Sequence, residues 1–182
     1  MTSSPGPDPA GLSTGIVVVM LGSNIAPERN LPAAVGELSG MGRILAVSSV
    51  WQTAAVGDTT QADFCNAAVL LETASNPIEF LRHLNEIEAR LGRVRDPRNK
   101  NAARTIDLDL AVVPGPPQSV AGKALPDPDI AERVFLAIPL SEVLPSFQLP
   151  DGRPITEVAS LLQERDAEKL RLRPRPDIRL AR

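Results

Sequence analysis

The chain holds one cysteine, Cys65, and one histidine, His83, among 182 residues. A lone cysteine excludes an internal disulfide framework and a cysteine-based zinc site, and a lone histidine excludes histidine-rich metal centres and Ser-His-Asp catalysis. Tyrosine is absent, and four phenylalanines and one tryptophan are too few for a sheet that stacks successive bases. Neither G-x-x-x-x-G-K-[ST] nor G-x-G-x-x-G occurs, so the common phosphate cradles are missing. Long apolar runs are missing too. The opening MTSSPGPDPAGLSTG has no cationic stretch and meets only the short run Ile16–Leu21, so neither signal peptide nor membrane span is expected and the cytoplasm is the default location. Nineteen Lys and Arg against 22 Asp and Glu give a net charge of -3, which argues against a broad basic surface for nucleic acid. Catalysis, if any, must run on carboxylates, arginines and bound ions.

Proline is abundant, at 18 residues. Pro5, Pro7 and Pro9 mark a loose tail; Pro114, Pro116, Pro117, Pro126 and Pro128 mark a long connection; Pro174 and Pro176 mark an exit. No internal repeat is present. The length suits one domain, expected over residues 15–165, with a disordered tail at 1–14 and a basic tail at 166–182. Ile16–Leu21 reads as a buried strand ended by a Gly22-Ser23-Asn24 turn. Leu31, Val35 and Leu38 recur at helical spacing before Gly40 and Gly42. Arg43–Thr53 reads as one strand and Phe64–Glu72 as another. Asn76, Pro77 and Glu79 form a helix start, Ile78, Leu81, Leu84, Ile87 and Leu91 its apolar stripe, and Gly92 its stop. Thr105–Val113 predicts a fourth strand, and Ile155–Gln163 a last helix with Ile155, Val158, Leu161 and Leu162 inward. This order, βαββαβ, is the ferredoxin-like α+β arrangement, here with a C-terminal helical and strand extension.

In Thr105-Ile106-Asp107-Leu108-Asp109-Leu110 the period of two sends the apolar residues to one face and both aspartates to the other, about 7 Å apart at Cα. Such a pair suits Mg²⁺, which takes one or two carboxylates plus substrate phosphates; it is equally the pattern of an edge strand with two exposed acids. The preceding segment, Gly92 to Arg104, carries Arg93, Arg95, Arg98, Lys100 and Arg104. Arginine forks match phosphate oxygens, so a polyphosphate clamp beside a metal pair is one reading, and a solvated charged loop the other.

Taken together, LGSN at 21–24, SSVWQT at 48–53 leading to FCNAAVLLET at 64–73, IEARLGRVR at 87–95, ARTIDLDL at 103–110, LPDPDIAERVFLAIPLSEVLP at 125–145 and PDG at 150–152 resemble the 6-hydroxymethyl-7,8-dihydropterin pyrophosphokinases. The resemblance spans roughly residues 16–165. It implies a ferredoxin-like fold, two Mg²⁺ ions, and transfer of pyrophosphate from ATP to the pterin hydroxymethyl group on the way to folate. The implied partners are ATP and the pterin, without nucleic acid or membrane, in a monomer or at most a weak homodimer. By the same resemblance Asp107 and Asp109 are metal ligands; Asn85, Glu88, Arg93, Arg95, Arg104, Leu110 and Arg133 belong to the nucleotide site; and Arg93 and Arg104 engage phosphate during transfer. Thr53, Ala54, Val56, Phe64, Asn66, Asn101 and Phe135 are the implied pterin-site residues. Three positions depart from the family pattern: Ala54 where proline is frequent, Asn101 where tryptophan often stands, and Asp127 where a histidine is usual.

Other residues read more plainly. His83 is expected on a helix surface, Cys65 as a small hydrophobe, Trp51 in the core or at a pocket rim, and the basic end from Lys169 as a solvated tail with at most one short edge strand. Two competing functions remain open at this level: a ferredoxin-like RNA- or nucleotide-binding module without this activity, and a palm-like two-metal nucleotidyl transferase.

Overall fold

The structure, a computed structural model, describes residues 15–55, 60–94 and 102–181. The expected tail 1–14 and the site residues Val56, Arg95 and Asn101 lie outside them. Strands β1 (Ile16–Ser23), β2 (Arg43–Val47), β3 (Trp51–Thr53), β4 (Phe64–Glu72), β5 (Asp107–Val112) and β8 (Arg173–Pro174) make one six-stranded sheet. Its order is β5-β1-β4-β3-β8, with β2 also on β4, and every pairing is antiparallel. Strands β6 (Gln118–Val120) and β7 (Lys123–Leu125) form a separate hairpin. The helices are α1 (Pro27–Ser39), α2 (Pro77–Arg90), α3 (Val134–Val143) and α4 (Ile155–Asp166), with a 3-10 turn at Pro128–Ala131. Among the described residues no helix is long and apolar enough to cross a membrane.

Strand alternation divides the core in two. Val17, Val19 and Leu21 of β1, with Cys65, Ala67, Val69 and Leu71 of β4 and Leu108 and Leu110 of β5, join Leu31, Val35 and Leu38 of α1 and Phe80, Leu84 and Ile87 of α2. The alternate residues Val18, Met20, Ala68 and Ala111 join Val134, Ile138 and Leu140 of α3 and Ile155, Val158 and Leu162 of α4. Cys65 is one of the buried apolar contacts, and burial pushes its thiol pKa up against the lowering charge of Arg175.

Helix α2 begins as its sequence predicts, with Asn76 accepting from the Ile78 and Glu79 amides at 3.1 and 3.0 Å and Pro77 in the first turn. Past its end Gly92 takes φ +78°, a conformation that favours glycine. Two stripe residues need correcting. Ile78 is 66% exposed, because the inward face runs through Phe80, Leu84 and Ile87. Leu161 is also exposed, lying about 120° around α4 from Ile155 at 100° per residue, while Ala159 turns inward instead.

The single strand expected over 43–53 is two strands. Ser48 breaks it: the Ala68 amide donates to the Ser48 hydroxyl at 2.8 Å while the Ser48 amide donates to the Ala68 carbonyl. The Ser49 amide turns away to Glu142 of α3, which also accepts from the Trp51 indole at 2.7 Å. Trp51 thus rests on the second core. The fourth strand begins at Asp107 and not at Thr105. Gly22 and Ser23, expected in a turn, are the last residues of β1. The long connection after residue 113 contains the β6–β7 hairpin and then α3, neither of which was expected. The basic end supplies the one short edge strand allowed for it, with Pro174 on Trp51 and Arg173 on Gln52, but it is not otherwise a solvated tail, since Ile178 is buried in the first core.

Candidate active site

The antiparallel register sets Asn66, Gly22 and Asp107 side by side on β4, β1 and β5, on the sheet face that carries α3. A Cβ at Gly22 would stand 3.2 Å from Asn66 Oδ1 and 3.7 Å from Asp107 Cβ, so its lack of a side chain leaves a trough between the two. Thr53, Ala54, Phe64, Asn66, Arg104, Asp107 and Phe135, with Gly22 and Ala55, line a cavity of about 170 Å³ there. The Asn66 amide nitrogen is buried and has no hydrogen-bond partner among the described residues, a costly state unless a ligand accepts from it. Phe64 supplies a ring over which the Arg104 guanidinium lies, 5.7 Å from the centroid. Ala54 is held by its own amide, which donates to the Leu170 carbonyl at 2.7 Å.

Arg104 joins this cavity to a second, polar one of about 330 Å³, lined by Asn85, Glu88, Arg93, Arg104, Asp107 and Asp109 with Leu81 and Leu108. Asp107 accepts from Arg93 through Oδ1, and from Arg104 through Oδ2 at 2.6 Å. Arg93 also donates to Glu88, whose carboxylate accepts from the Leu108 amide at 2.8 Å. Glu88 is almost fully buried, so its charge rests on those partners. The last turn of α2 is therefore tied to the free edge of β5 through one carboxylate. Two residues on, Asp109 pairs with Lys123 of β7 at 2.8 Å, and Lys123 reaches Asp127 at 3.0 Å. Burial pulls the Lys123 ammonium pKa down, but the charges and hydrogen bonds of Asp109 and Asp127 outweigh it and hold it above the ordinary lysine value. Asp127 also caps the 3-10 turn, accepting from the Asp129 amide at 2.9 Å.

Two implied nucleotide residues stand elsewhere. Leu110 is wholly buried in the first core, so its side chain faces away from the aspartates and only its backbone is open to a role. Arg133 lines a different cavity, with Ala54, Phe135, Arg165 and Leu170. His83 is half-buried on α2 beside Arg82. Lys123 escaped the sequence reading because its partners lie 14 residues back and 4 ahead, across a hairpin without an apolar period. Asn24, expected to shape the turn after β1, also ties that turn to its neighbours: its side-chain carbonyl accepts from the Arg104 amide at 2.8 Å and its amide donates to Gln61 at 3.2 Å, joining the segments that flank the cavity.

Among the described residues no cluster of three or more His, Cys, Asp or Glu could cage a metal. A pair of carboxylates on one strand face is instead the donor set of an ion that takes its remaining oxygens from phosphate and water, which fits Mg²⁺.

Residues 18–145 match the family profile of 7,8-dihydro-6-hydroxymethylpterin-pyrophosphokinase, HPPK. The 2-amino-4-hydroxy-6-hydroxymethyldihydropteridine pyrophosphokinase of Pseudomonas aeruginosa is 32% identical over 157 residues, covering 85% of this chain and 96% of that one. The enzyme of the same name from Methylorubrum extorquens is 35% identical over 153 residues, covering 82% and 95%. That from Bacillus subtilis is 37% identical over 131 residues, covering 70% and 77%. Among solved structures, Plasmodium falciparum HPPK-DHPS with pteroate superposes with a TM-score of 0.63 at 12% identity, covering 86% of this chain and 44% of that chain. An HPPK-DHPS in complex with substrates gives 0.63 at 12%, covering 87% and 45%. The chain thus spans a little under half the length of those proteins, whose likeness is one of fold. With a family profile over most of its length and relatives matched almost end to end, the chain belongs to the 7,8-dihydro-6-hydroxymethylpterin-pyrophosphokinase family.

Proposed function

We propose that the two adjoining cavities carry out the family's reaction in this chain, the Mg²⁺-dependent transfer of pyrophosphate from ATP to 6-hydroxymethyl-7,8-dihydropterin. The observation that carries the reading is the unpartnered Asn66 amide beside the Gly22 trough, one strand from Asp107. A pterin offers ring nitrogen and carbonyl acceptors to such a donor, and Phe64 and Phe135 supply flat apolar contact. The polar cavity next door then receives the polyphosphate. Arg93 and Arg104, now balanced by Glu88 and Asp107, offer guanidinium donors to its oxygens. Two Mg²⁺ ions held by Asp107 and Asp109 would neutralise phosphate charge and order the triphosphate.

In the step itself the pterin hydroxyl oxygen bonds to the β-phosphorus in line. The bond from that phosphorus to the oxygen bridging the α-phosphate breaks, AMP leaves with that oxygen, and the hydroxyl proton passes to solvent. No protein nucleophile is required, so this chain's contribution is positioning and electrostatics. Arg104 touches both halves of the site, over the Phe64 ring and against Asp107, and is the group best placed to meet charge developing between them. The βαββαβ order, with its second strand broken at Ser48, suits the ferredoxin-like class. A monomer in the cytoplasm accords with this reading.

The test is an assay with ATP, Mg²⁺ and 6-hydroxymethyl-7,8-dihydropterin. Equimolar AMP and pterin diphosphate are expected, with activity lost when EDTA removes Mg²⁺. Formation of ADP, or of an adenylylated product with free pyrophosphate, would overturn the reading.

A further inference from the structure

At the two ends of the aspartate pair the charges are balanced by different means. Among the described residues, Asp107 is gripped by two arginines, whereas the 57%-exposed Asp109 meets only the ammonium of Lys123. The fold holds that ammonium on Asp109, which lines the polar cavity. Its hairpin turns through Ala121 and Gly122, both at positive φ, and is pinned by Val120 and Leu125 in the first core. Asp127 fixes it from the other side and is itself fixed: its amide donates to the Ala111 carbonyl at 2.9 Å and its second oxygen caps the 3-10 turn. An ammonium has three N–H donors, and among the described residues only Asp109 and Asp127 engage them.

A lysine held in this way is a preformed anion donor. We infer that Lys123 is a phosphate-binding residue of the nucleotide site, kept in place by Asp127 and donating to a polyphosphate oxygen when a cation shares Asp109. The inference rests on the function proposed above. It follows from charge: without Lys123, Asp109 and Asp127 would both present uncompensated negative charge to an incoming triphosphate. With it, the acid that orients the lysine is neutralised by it. The acid that binds the cation exchanges one positive partner for another, and the ammonium keeps a donor for the ligand.

The test measures binding of ATP with Mg²⁺, without pterin, by calorimetry at one salt concentration, using wild type, Lys123→Met, Lys123→Arg and the double variant Lys123→Met/Asp127→Asn. A donor to charged phosphate predicts a loss of about tenfold or more in Lys123→Met, little loss in Lys123→Arg, and smaller losses for AMP than for ATP. The double variant separates the roles and also removes the stranded acid that could spoil folding of the single one. If Lys123 serves only to neutralise Asp127, the double variant regains wild-type affinity and the inference falls; if Lys123 donates to phosphate, the double variant stays weak. Unchanged affinity in Lys123→Met also overturns it. Failure of the wild type itself to bind ATP with Mg²⁺ would instead overturn the proposed function.

Discussion

On the α1/α2 side of the sheet, apolar side chains continue to the ends of the central strands, through Leu21, Cys65 and Leu108. On the α3/α4 side they stop at Met20, Ala68 and Ala111, and the next positions on the same strands are Gly22, Asn66 and Asp109, with Asp107 beyond. The strands are the same and only the parity of the residue differs. One face can therefore be closed for stability while the other is left open for chemistry, the strands carrying Asn66, Asp107 and Asp109 and the connection before β5 adding Arg93 and Arg104. Because alternate side chains point oppositely, substitutions one residue apart should separate stability from activity.

The largest effect is expected at the aspartates. Asp107→Asn or Asp109→Asn should lower turnover by about a hundredfold or more, because a neutral amide holds a cation poorly. The melting temperature should stay within about 4 °C, roughly the shift that 1 kcal/mol produces in a chain of this size. Steady-state kinetics beside thermal melts check this. Melting lowered by far more, with turnover of the folded fraction preserved, would break the division between the faces.

One residue further on, Leu110→Ala should do the reverse. The side chain is fully buried in the first core, and truncating such a leucine costs about 2–5 kcal/mol. Denaturant unfolding measures the loss, and calorimetry should find ATP affinity unchanged within about threefold, an error range that corresponds to less than 1 kcal/mol. A tenfold weaker nucleotide with normal stability would return Leu110 to the site.

Gly22→Ala tests the trough on the open face. The added methyl would press on Asn66 Oδ1 at 3.2 Å, so either the amide shifts or the ligand does. Overpacking of this kind costs about 1–3 kcal/mol, expected here as roughly tenfold weaker pterin binding with a near-normal melting curve. Pterin affinity equal to wild type would mean that the ligand does not use the trough.

These contrasts were unequally visible in the sequence. Helix α2 and strand β4 could be read because cap, period and stop agree within one short window, and the aspartate pair because alternation alone puts both acids on one face. Ser48 was not readable as a break, since its hydroxyl replaces a ladder contact only when Ala68 lies opposite. Helix α3 was hidden by its own burial: Val134-Phe135-Leu136-Ala137-Ile138-Pro139-Leu140 is apolar on every side, which erases the helical period, and Pro139 argues against a helix. The depth of Asn66 and the closeness of Lys123 to Asp109 depend on pairing across distant strands, which no local pattern carries. Resemblance to the family supplied Asn66 and Phe135, but it pointed to a histidine position where this chain uses Asp127 with Lys123.

The smallest effect sharpens the comparison from the closed side. Helix α2 contributes Glu88 to the site from its last turn, while Asn76 caps its opposite end, about 18 Å away at 1.5 Å per residue. Asn76→Ala removes the acceptor for the Ile78 and Glu79 amides, and losing such a cap costs about 1 kcal/mol. If the helix transmits that loosening, the Glu88 contacts to Arg93 and Leu108 weaken and turnover falls with stability. If Phe80, Leu84 and Ile87 hold α2 against the sheet independently of its first turn, stability drops by that amount and kcat and KM stay at their wild-type values. The second result is expected, because those three side chains are fully buried along the middle of the helix. Amide exchange should rise only around residues 77–80, and increased exchange at Leu108, whose N–H is held by Glu88, would show that the two ends are coupled after all.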